Sequence, residues 1–214
     1  MSKSKLGFGI LFFVLLLNAL SGASGRSQGD RTLSLVGSAL WTKAHDIDVR
    51  GKLAYCAFMN GLVILDISDL KKPVRISQLY LGGGFAIEVR ERLAFVAASD
   101  KELNIIDVSD PKNPILRGNL KTEGEARDVA VSGSYAFVAD GPSGLAVVDI
   151  NNTSSPKLAG RWDSPGESMA IILRENLIYL AEGSAGLQIV DVKNPIKPVL
   201  VGSLDTDGTS EGIA

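Results

Sequence analysis

The sequence predicts an all-β protein, a β-propeller of four-stranded blades, and three observations support this prediction. A segment of the form Leu-x-x-x-Asp occurs four times, and its closing aspartates, Asp66, Asp107, Asp149 and Asp191, lie 41, 42 and 42 residues apart. Each repeat contains four short β-rich segments separated by Gly, Pro, Ser and Asn. No helical periodicity lies between them. Four antiparallel strands in roughly 42 residues are typical of a propeller blade.

The third repeat shows the four predicted strands most clearly. Its first strand precedes the turn Ser132-Gly133-Ser134, and its second strand ends at Gly141-Pro142-Ser143-Gly144. An apolar third strand is followed by a polar turn that closes at Pro156. The four predicted strands are residues 126–131, 135–140, 145–150 and 158–162.

The second and third strands have the composition of sheets packed face to face. The second strand repeats an Ala-aromatic-x-Ala pattern, as in Ala94-Phe95-Val96-Ala97. Its small residues allow neighbouring sheets to approach, and its ring adds a large apolar contact. The third strand is apolar along its whole length, which indicates that neighbouring blades cover both of its faces. We therefore expect stability to come from the stack of blades.

A polar turn that ends in proline follows each third strand. The four turns run from Asp66 to Pro73, from Asp107 to Pro114, from Asp149 to Pro156 and from Asp191 to Pro198. An aspartate at this position can accept hydrogen bonds from backbone N–H groups that the turn leaves unpaired. The alternative is a cation site, because Asp-Val-Ser-Asp and Asp-Ile-Asn-Asn are rich in oxygen atoms. The turn interpretation is favoured, since a calcium loop needs more carboxylates in a fixed series.

These units resemble the LVIVD repeat family, whose signature is a Leu-Val-Ile-Val-Asp third strand in a repeat of this length. The resemblance covers about residues 34 to 214 and is carried by the four Leu-to-Asp segments. It implies a propeller in an exported or cell-surface protein, and proteins of this family mostly have no assigned biochemical activity. It transfers no catalytic residue to this chain.

The N-terminal residues predict export. Lys3 and Lys5 precede an apolar stretch over residues 6–20, and small residues follow at 21–25. This order is typical of a secretory signal peptide, and the stretch is shorter than the roughly 20 residues that span a bilayer. The predicted organisation is a signal peptide over 1–25, a polar lead-in over 26–33 and propeller repeats over 34–214. We expect a secreted, periplasmic or cell-surface protein with no transmembrane segment after cleavage.

Composition limits the partners and the chemistry. The formal net charge of −2 becomes −4 once Lys3 and Lys5 are removed, which argues against nucleic acid as a partner. Cys56 is the single cysteine, so no intramolecular disulfide can form. It occupies an apolar second-strand position, which predicts a buried, unreactive thiol. We expect no cofactor, although a divalent cation stays possible.

Two functional classes are compatible with this composition. The first is an exported, non-catalytic binding module for a protein, glycan or cell-surface partner. The alternative is a secreted propeller enzyme, a lactonase-like hydrolase or a lyase, with a polar site in the central channel. Because His45 is the single histidine, multi-histidine metal sites are excluded. The predicted channel mouth comprises His45, Asp46, Arg127 and Glu211, and apolar residues at Phe85 and Met169 interrupt this polar set. The binding module is therefore favoured.

Charges are predicted to be sorted between the two ends of the blades. The blade-to-blade loops and the loops between second and third strands share one side, which is rich in acids. The remaining turns collect Lys and Arg on the other side, a candidate surface for anionic glycan or envelope lipid. The acidic side is predicted to bind a basic protein surface or a divalent cation. Its expected contributors are Asp128, Asp140, Glu167 and Glu182.

The repeat alignment also predicts an incomplete, open propeller. Residues 33–41 align with an outer fourth strand, and residues 210–214 align with the beginning of a fifth first strand. Four full units with partial ones would leave unpaired sheet edges. A chain of residues 26–214 is therefore expected to be poorly soluble or to unfold without a sharp transition.

Overall fold

A computed structural model describes residues 43–98 and 100–214, which form four antiparallel sheets of four strands each. The first blade contains β1 (Ala44–Arg50), β2 (Leu53–Phe58), β3 (Gly61–Asp66) and β4 (Val74–Tyr80). The second contains β5 (Gly84–Arg90), β6 (Leu93–Ala98), β7 (Glu102–Asp107) and β8 (Ile115–Lys121). The third contains β9 (Asp128–Ser132), β10 (Tyr135–Ala139), β11 (Leu145–Asp149) and β12 (Lys157–Trp162). The fourth contains β13 (Ala170–Arg174), β14 (Leu177–Ala181), β15 (Leu187–Asp191) and β16 (Val199–Leu204).

The strand order confirms the predicted fold class. Within each sheet, strands that follow one another in sequence are hydrogen-bonded neighbours, which is the order of a propeller blade. The four sheets do not close into a ring. The described residues include no helix with the length and apolarity needed to cross a membrane. The predicted signal peptide, the lead-in and the strand predicted over residues 33–41 lie outside the described residues.

The hydrophobic core lies between blades. Tyr55 and Ile64 of the first blade pack with Ile87 of the second, and Phe95 of the second packs with Val129 of the third. Phe137 of the third blade packs in the same way with residues of the fourth. These side chains are almost fully buried because each blade covers the apolar face of its neighbour. The predicted stack is therefore the arrangement that buries the repeat's apolar residues.

The aspartate that ends each third strand closes the turn after it. In all four blades one carboxylate oxygen accepts the backbone N–H two residues later, at distances of 2.8, 2.9, 2.9 and 2.7 Å for Asp66, Asp107, Asp149 and Asp191. Asp107 also accepts from the Ser109 hydroxyl and from Arg117, and the hydrogen bonds from Ser109 and then from Arg117 lower its pKa. The turn role predicted for these aspartates is confirmed.

The outer strands contact the next blade through small residues. Ser77 donates from its hydroxyl to the Pro111 carbonyl at 2.6 Å. Gly118 in the second blade and Gly160 in the third occupy the equivalent position. A Cβ on Gly118 would collide with Thr153, and a Cβ on Gly160 would stand 2.6 Å from the Pro195 carbonyl oxygen. Only a small residue fits where two blades approach this closely.

Backbone hydrogen bonds confirm that the loops divide into two sets. The loops between blades pair with the loops between second and third strands, as in Thr122 N–H to the Lys101 carbonyl at 2.7 Å. This side is hereafter the loop face. The two remaining turns of each blade also pair, as in Ile67 N–H to the Lys52 carbonyl at 2.8 Å. That opposite side is hereafter the turn face.

Candidate functional site

The residues at the beginning of the inner, first strands of three consecutive blades meet on the loop face. The His45 and Phe85 rings lie edge to face, with centroids 5.4 Å apart and planes at 71°. The guanidinium carbon of Arg127 lies 5.3 Å from the centroid of the same Phe85 ring. Phe85, which sequence analysis counted as an interruption of the polar set, is thus the residue that joins its two polar neighbours.

Two glutamates flank the Arg127 guanidinium. Its Nη2 lies 2.7 Å from a Glu125 oxygen and 3.3 Å from a Glu167 oxygen. The loop that leads from one blade into the first strand of the next is hereafter an entry loop. Glu125 and Glu167 occupy equivalent positions in successive entry loops, and their side chains are 45% and 49% exposed. The predicted site residue Glu167 therefore lies at the surface, beside the predicted channel-mouth residue Arg127. Glu211 is also exposed, one residue after Ser210, whose N–H donates to the Gly183 carbonyl.

The surroundings of His45 favour the neutral form of its imidazole. Burial lowers its pKa, and the nearby positive charge of Lys43 lowers it further. Its Nε2 and the Arg127 Nε are buried without a hydrogen-bond partner. A neutral imidazole beside an aromatic ring contributes packing more than charge at this position.

Asp46 and Asp128 join neighbouring inner strands. Asp46 accepts the N–H of Ile87 in the next blade at 2.9 Å, and Asp128 accepts the N–H of Ile171 at 2.8 Å. The second oxygen of each accepts the N–H of the following residue in its own strand, at 2.9 and 2.7 Å. Asp128 is almost fully buried, so the structure places this predicted binding residue inside the blade interface.

Two further carboxylates act in the same way, and sequence analysis missed both. Asp48 accepts the Val89 N–H at 2.7 Å, and Glu88 accepts the Val131 N–H at 3.2 Å. The side chains of Asp48 and Glu88 also form ion pairs with Arg50 and Arg90. The signal in the sequence is an acidic residue within an otherwise apolar inner strand, present in the first three blades and absent from β13 of the fourth. Asp46, Asp48, Glu88 and Asp128 are hereafter the inter-blade carboxylates.

Asp140 lies beneath the entry loop of the third blade. It is 2% exposed, and its Oδ2 accepts the Gly124 N–H at 2.9 Å. Burial raises its pKa, although nearby hydroxyl and backbone donors and the charge of Arg161 oppose this effect. The Thr122 hydroxyl donates to the Lys101 carbonyl at 3.3 Å, and the Asp140 Oδ1 has no hydrogen-bond partner.

Glu182 occupies the equivalent position in the fourth blade with both oxygens satisfied. It is 0% exposed, and it accepts from the hydroxyls of Ser164 and Ser168. Ser164 in turn accepts the Gly166 N–H at 3.0 Å. Burial raises the pKa of Glu182 to about 7, and the Ser168 hydrogen bond opposes this shift. Two predicted surface residues, Asp140 and Glu182, are thus internal supports of their loops.

A small cavity of about 30 Å³ opens beside Asp140 on the loop face, with room for one or two water molecules. Its lining combines both charges, two hydroxyls and two apolar side chains. The residues are Lys121, Thr122, Glu123, Asp140, Ser143, Ala146, Leu158 and Arg161.

Arg161 is a loop-face cation that sequence analysis did not identify. Its guanidinium pairs with Glu123, and its Nη2 lies 2.9 Å from an Asp163 oxygen. It is placed there because β12 ends on the loop face, so a side chain near the end of this strand reaches the entry loops. The signal was its position one residue before Trp162, at the end of the predicted fourth strand.

Cys56 is buried in β2 of the first blade. Burial raises the pKa of Cys56 to about 12, which confirms the predicted buried, unreactive thiol. Within residues 43–98 and 100–214, no three His, Cys, Asp or Glu side chains come together in a group that could hold a metal ion.

Stacked four-stranded blades with a repeated turn aspartate define a propeller-type repeat protein. The chain belongs to the LVIVD repeat family, whose model matches residues 42–78, 83–122, 123–164 and 165–206. The family predicted from the sequence is therefore confirmed. No curated protein matches the sequence.

Among solved structures, the fold is similar to that of the computationally designed Ika8 protein. The TM-score is 0.63 at 10% sequence identity, over 79% of this chain and 51% of the designed chain. This chain thus spans about half the length of that structure. At this identity the similarity concerns the fold alone.

Proposed function

We propose that this protein is an exported, non-catalytic binding module whose loop face binds a basic protein surface. The observation that carries this proposal is the placement of Glu125 and Glu167. These exposed carboxylates stand at equivalent positions of successive entry loops and share a single cation, Arg127. Glu123 and Asp163 add two further exposed carboxylates around Arg161.

The division of carboxylates supports this proposal. Asp128, Asp140 and Glu182 are buried, and their oxygens serve backbone or hydroxyl groups of the propeller itself. The exposed glutamates have no comparable structural task, because surface ion pairs contribute little to stability. Carboxylates sorted onto one face produce a field that attracts a basic partner and raises its association rate.

Charge reversal on the full chain tests the proposal, with a lysine-rich peptide as the probe. The double variant Glu125→Lys/Glu167→Lys should weaken binding of this peptide about tenfold or more at low salt. The loss should shrink as salt approaches 1 M, where the screening length is about 3 Å. The matched control is Glu91→Lys/Glu175→Lys, which makes the same charge change at exposed turn-face positions. Equal losses in both variants would contradict the proposal.

The export part of the proposal is supported by Lys3, Lys5 and the apolar stretch over residues 6–20. Mass spectrometry of protein recovered outside the cytoplasm should find a new N-terminus after Ala23 or Gly25. Recovery of the chain with residues 1–25 still attached would contradict cleavage.

A further inference from the structure

We infer that the cavity beside Asp140 is a subsite for the ammonium group of a lysine side chain of the basic partner. This inference rests on the proposed function of the loop face and names the chemistry by which that face selects its partner.

One oxygen of the buried Asp140 carboxylate is unsatisfied. Asp140 is 98% buried, and Gly124 N–H serves its Oδ2, whereas its Oδ1 has no partner. The Thr122 hydroxyl and the Glu123 N–H lie near the carboxylate, and the Thr122 hydroxyl also lies 3.3 Å from the Lys101 carbonyl oxygen, but neither group makes a hydrogen bond to the Oδ1. A buried carboxylate oxygen without a donor is costly, and a ligand that supplies one removes this cost.

In the fourth blade the carboxylate at the equivalent position, Glu182, needs no ligand. Glu182 accepts from Ser164 and Ser168, which correspond to Thr122 and Ala126 in the third blade. The alanine therefore stands where the fold could supply a hydroxyl donor to the carboxylate. The third blade departs from the repeat at the residue that would have satisfied Asp140.

The walls of the cavity suit an ammonium group. Acceptors surround it, since Asp140 and Glu123 contribute carboxylates and Ser143 a hydroxyl. An ammonium group donates three hydrogen bonds and is compact, so a volume of about 30 Å³ suits it better than a planar guanidinium. Leu158, 48% exposed on the wall, provides an apolar surface for the methylene stem.

The cations on the wall do not occupy the acceptor. Arg161 directs its hydrogen bonds to Glu123 and Asp163. Its charge lies near Asp140, yet it leaves the Oδ1 without a donor. Lys121 is exposed at the rim of the cavity.

The test compares three short peptides on the full chain by calorimetric titration, with Lys, Arg or the uncharged isostere norleucine at one position of an otherwise identical sequence. The Lys peptide should bind about tenfold more tightly than the norleucine peptide, as expected for one charge-assisted hydrogen bond to a buried group. It should also bind more tightly than the Arg peptide because of the size of the cavity. Equal binding of Lys and norleucine peptides would overturn the inference.

A charge-conserving variant separates this subsite from the general field of the loop face. Ala126→Ser/Asp140→Glu reproduces the pair present in the fourth blade, and it should remove most of the tenfold preference for Lys. The reciprocal variant Ser168→Ala/Glu182→Asp should leave that preference unchanged. If Ala126→Ser/Asp140→Glu kept the preference, Asp140 would not be the acceptor, while the charge-reversal test at Glu125 and Glu167 would still decide the proposed function.

Thermal unfolding establishes whether each variant is folded. Because the peptide comparison uses the natural chain, its result stands even if a variant fails to fold.

Discussion

On the loop face, the third and the fourth blade each have a buried carboxylate beneath an entry loop, Asp140 and Glu182, and each carboxylate with its entry loop is hereafter a corner. The two corners occupy the same place in successive repeats and differ in how the carboxylate is satisfied. In the fourth blade Glu182 receives two serine hydroxyls, and in the third blade Asp140 receives one backbone N–H and leaves an oxygen unpaired. The two entry loops share Gly124 and Gly166 at equivalent positions. The same scaffold can therefore hold a carboxylate with both oxygens hydrogen-bonded, a closed corner, or a carboxylate with one free acceptor oxygen, an open corner.

The chemical differences between the two corners are small. Ser168 and Ala126 differ by one hydroxyl, and Glu182 and Asp140 differ by one methylene group. Neither difference changes the backbone path, because both loops pair with their blades in the same way: Arg127 N–H donates to Ala139 and Met169 N–H donates to Ala181, each at 2.8 Å. Function can therefore vary between blades while the repeat is kept.

Breaking both corners at once should give the largest effect. A Cβ on Gly124 would collide with the Asp140 carbonyl oxygen, and one on Gly166 with that of Glu182. Each Gly→Ala change should lower the free energy of unfolding by about 3 kcal/mol, measured by urea denaturation of the full chain. Gly212→Ala is the control, since nothing stands within 4 Å of its Cβ position. A loss confined to one of the two corners would show that they are not equivalent.

Removing the carboxylates should separate the two corners. Glu182→Ala leaves the Ser164 and Ser168 hydroxyls without their acceptor, so it should lower the free energy of unfolding by about 3 kcal/mol. Asp140→Ala leaves the Gly124 N–H unpaired but also removes an unsatisfied oxygen, and it should cost about 1 kcal/mol. Equal losses in urea denaturation would mean that the unpaired oxygen has no energetic consequence.

The closed corner should also make stability depend on pH. The pKa of Glu182 is about 7 in the folded chain against an ordinary value of 4.5, so the folded chain binds more protons between these values. Its contribution to stability is complete below about pH 4.5 and is lost as pH rises through 7, with a loss of about 2 kcal/mol.

Thermal unfolding between pH 4.5 and 8 measures this dependence. Glu182→Gln should flatten the curve, and a smaller fall in the same direction should persist because the pKa of Asp140 is also raised. A curve for Glu182→Gln that matched the natural chain would assign the dependence to another group.

The smallest effect is expected from adding the missing hydroxyl. Ala126→Ser places a donor where Ser168 stands in the fourth blade, and it should raise the free energy of unfolding by about 0.5 kcal/mol. Ser168→Ala, the opposite change, should lower it by about 1 kcal/mol. Destabilisation by Ala126→Ser would show that the serine hydroxyl does not reach the Asp140 oxygen.

The fold could be predicted because its determinants are local and repeated. The turn aspartates accept hydrogen bonds from residues two positions later, so their role is contained in a few adjacent residues. The apolar third strand likewise reports burial on both faces without knowledge of the partner. Four copies of the same pattern made each of these inferences stronger than a single copy would.

The candidate site was harder to predict, because its residues act across blades. Asp128 was expected at a binding surface, but its acceptor role depends on the N–H of Ile171, 43 residues away. Asp140 and Glu182 are buried because entry loops fold over them, and no short segment records that contact. Glu125 and Arg127 lie close in sequence, whereas the approach of Glu167 to Arg127 requires the next blade.

The inter-blade carboxylates affect how a repeat chain of this kind can gain a further blade by duplication. Each of these hydrogen bonds joins a carboxylate on one blade to a backbone N–H on the next blade. Any residue other than proline provides this N–H. This hydrogen bond therefore makes no demand on the side chains of the later blade, although the apolar contacts between blades still do. Only the earlier blade needs a carboxylate, and it can stand at either of two inner-strand positions, as Asp128 and Glu88 illustrate. A new blade can thus change its loop-face residues without losing the hydrogen bonds that join it to the preceding blade.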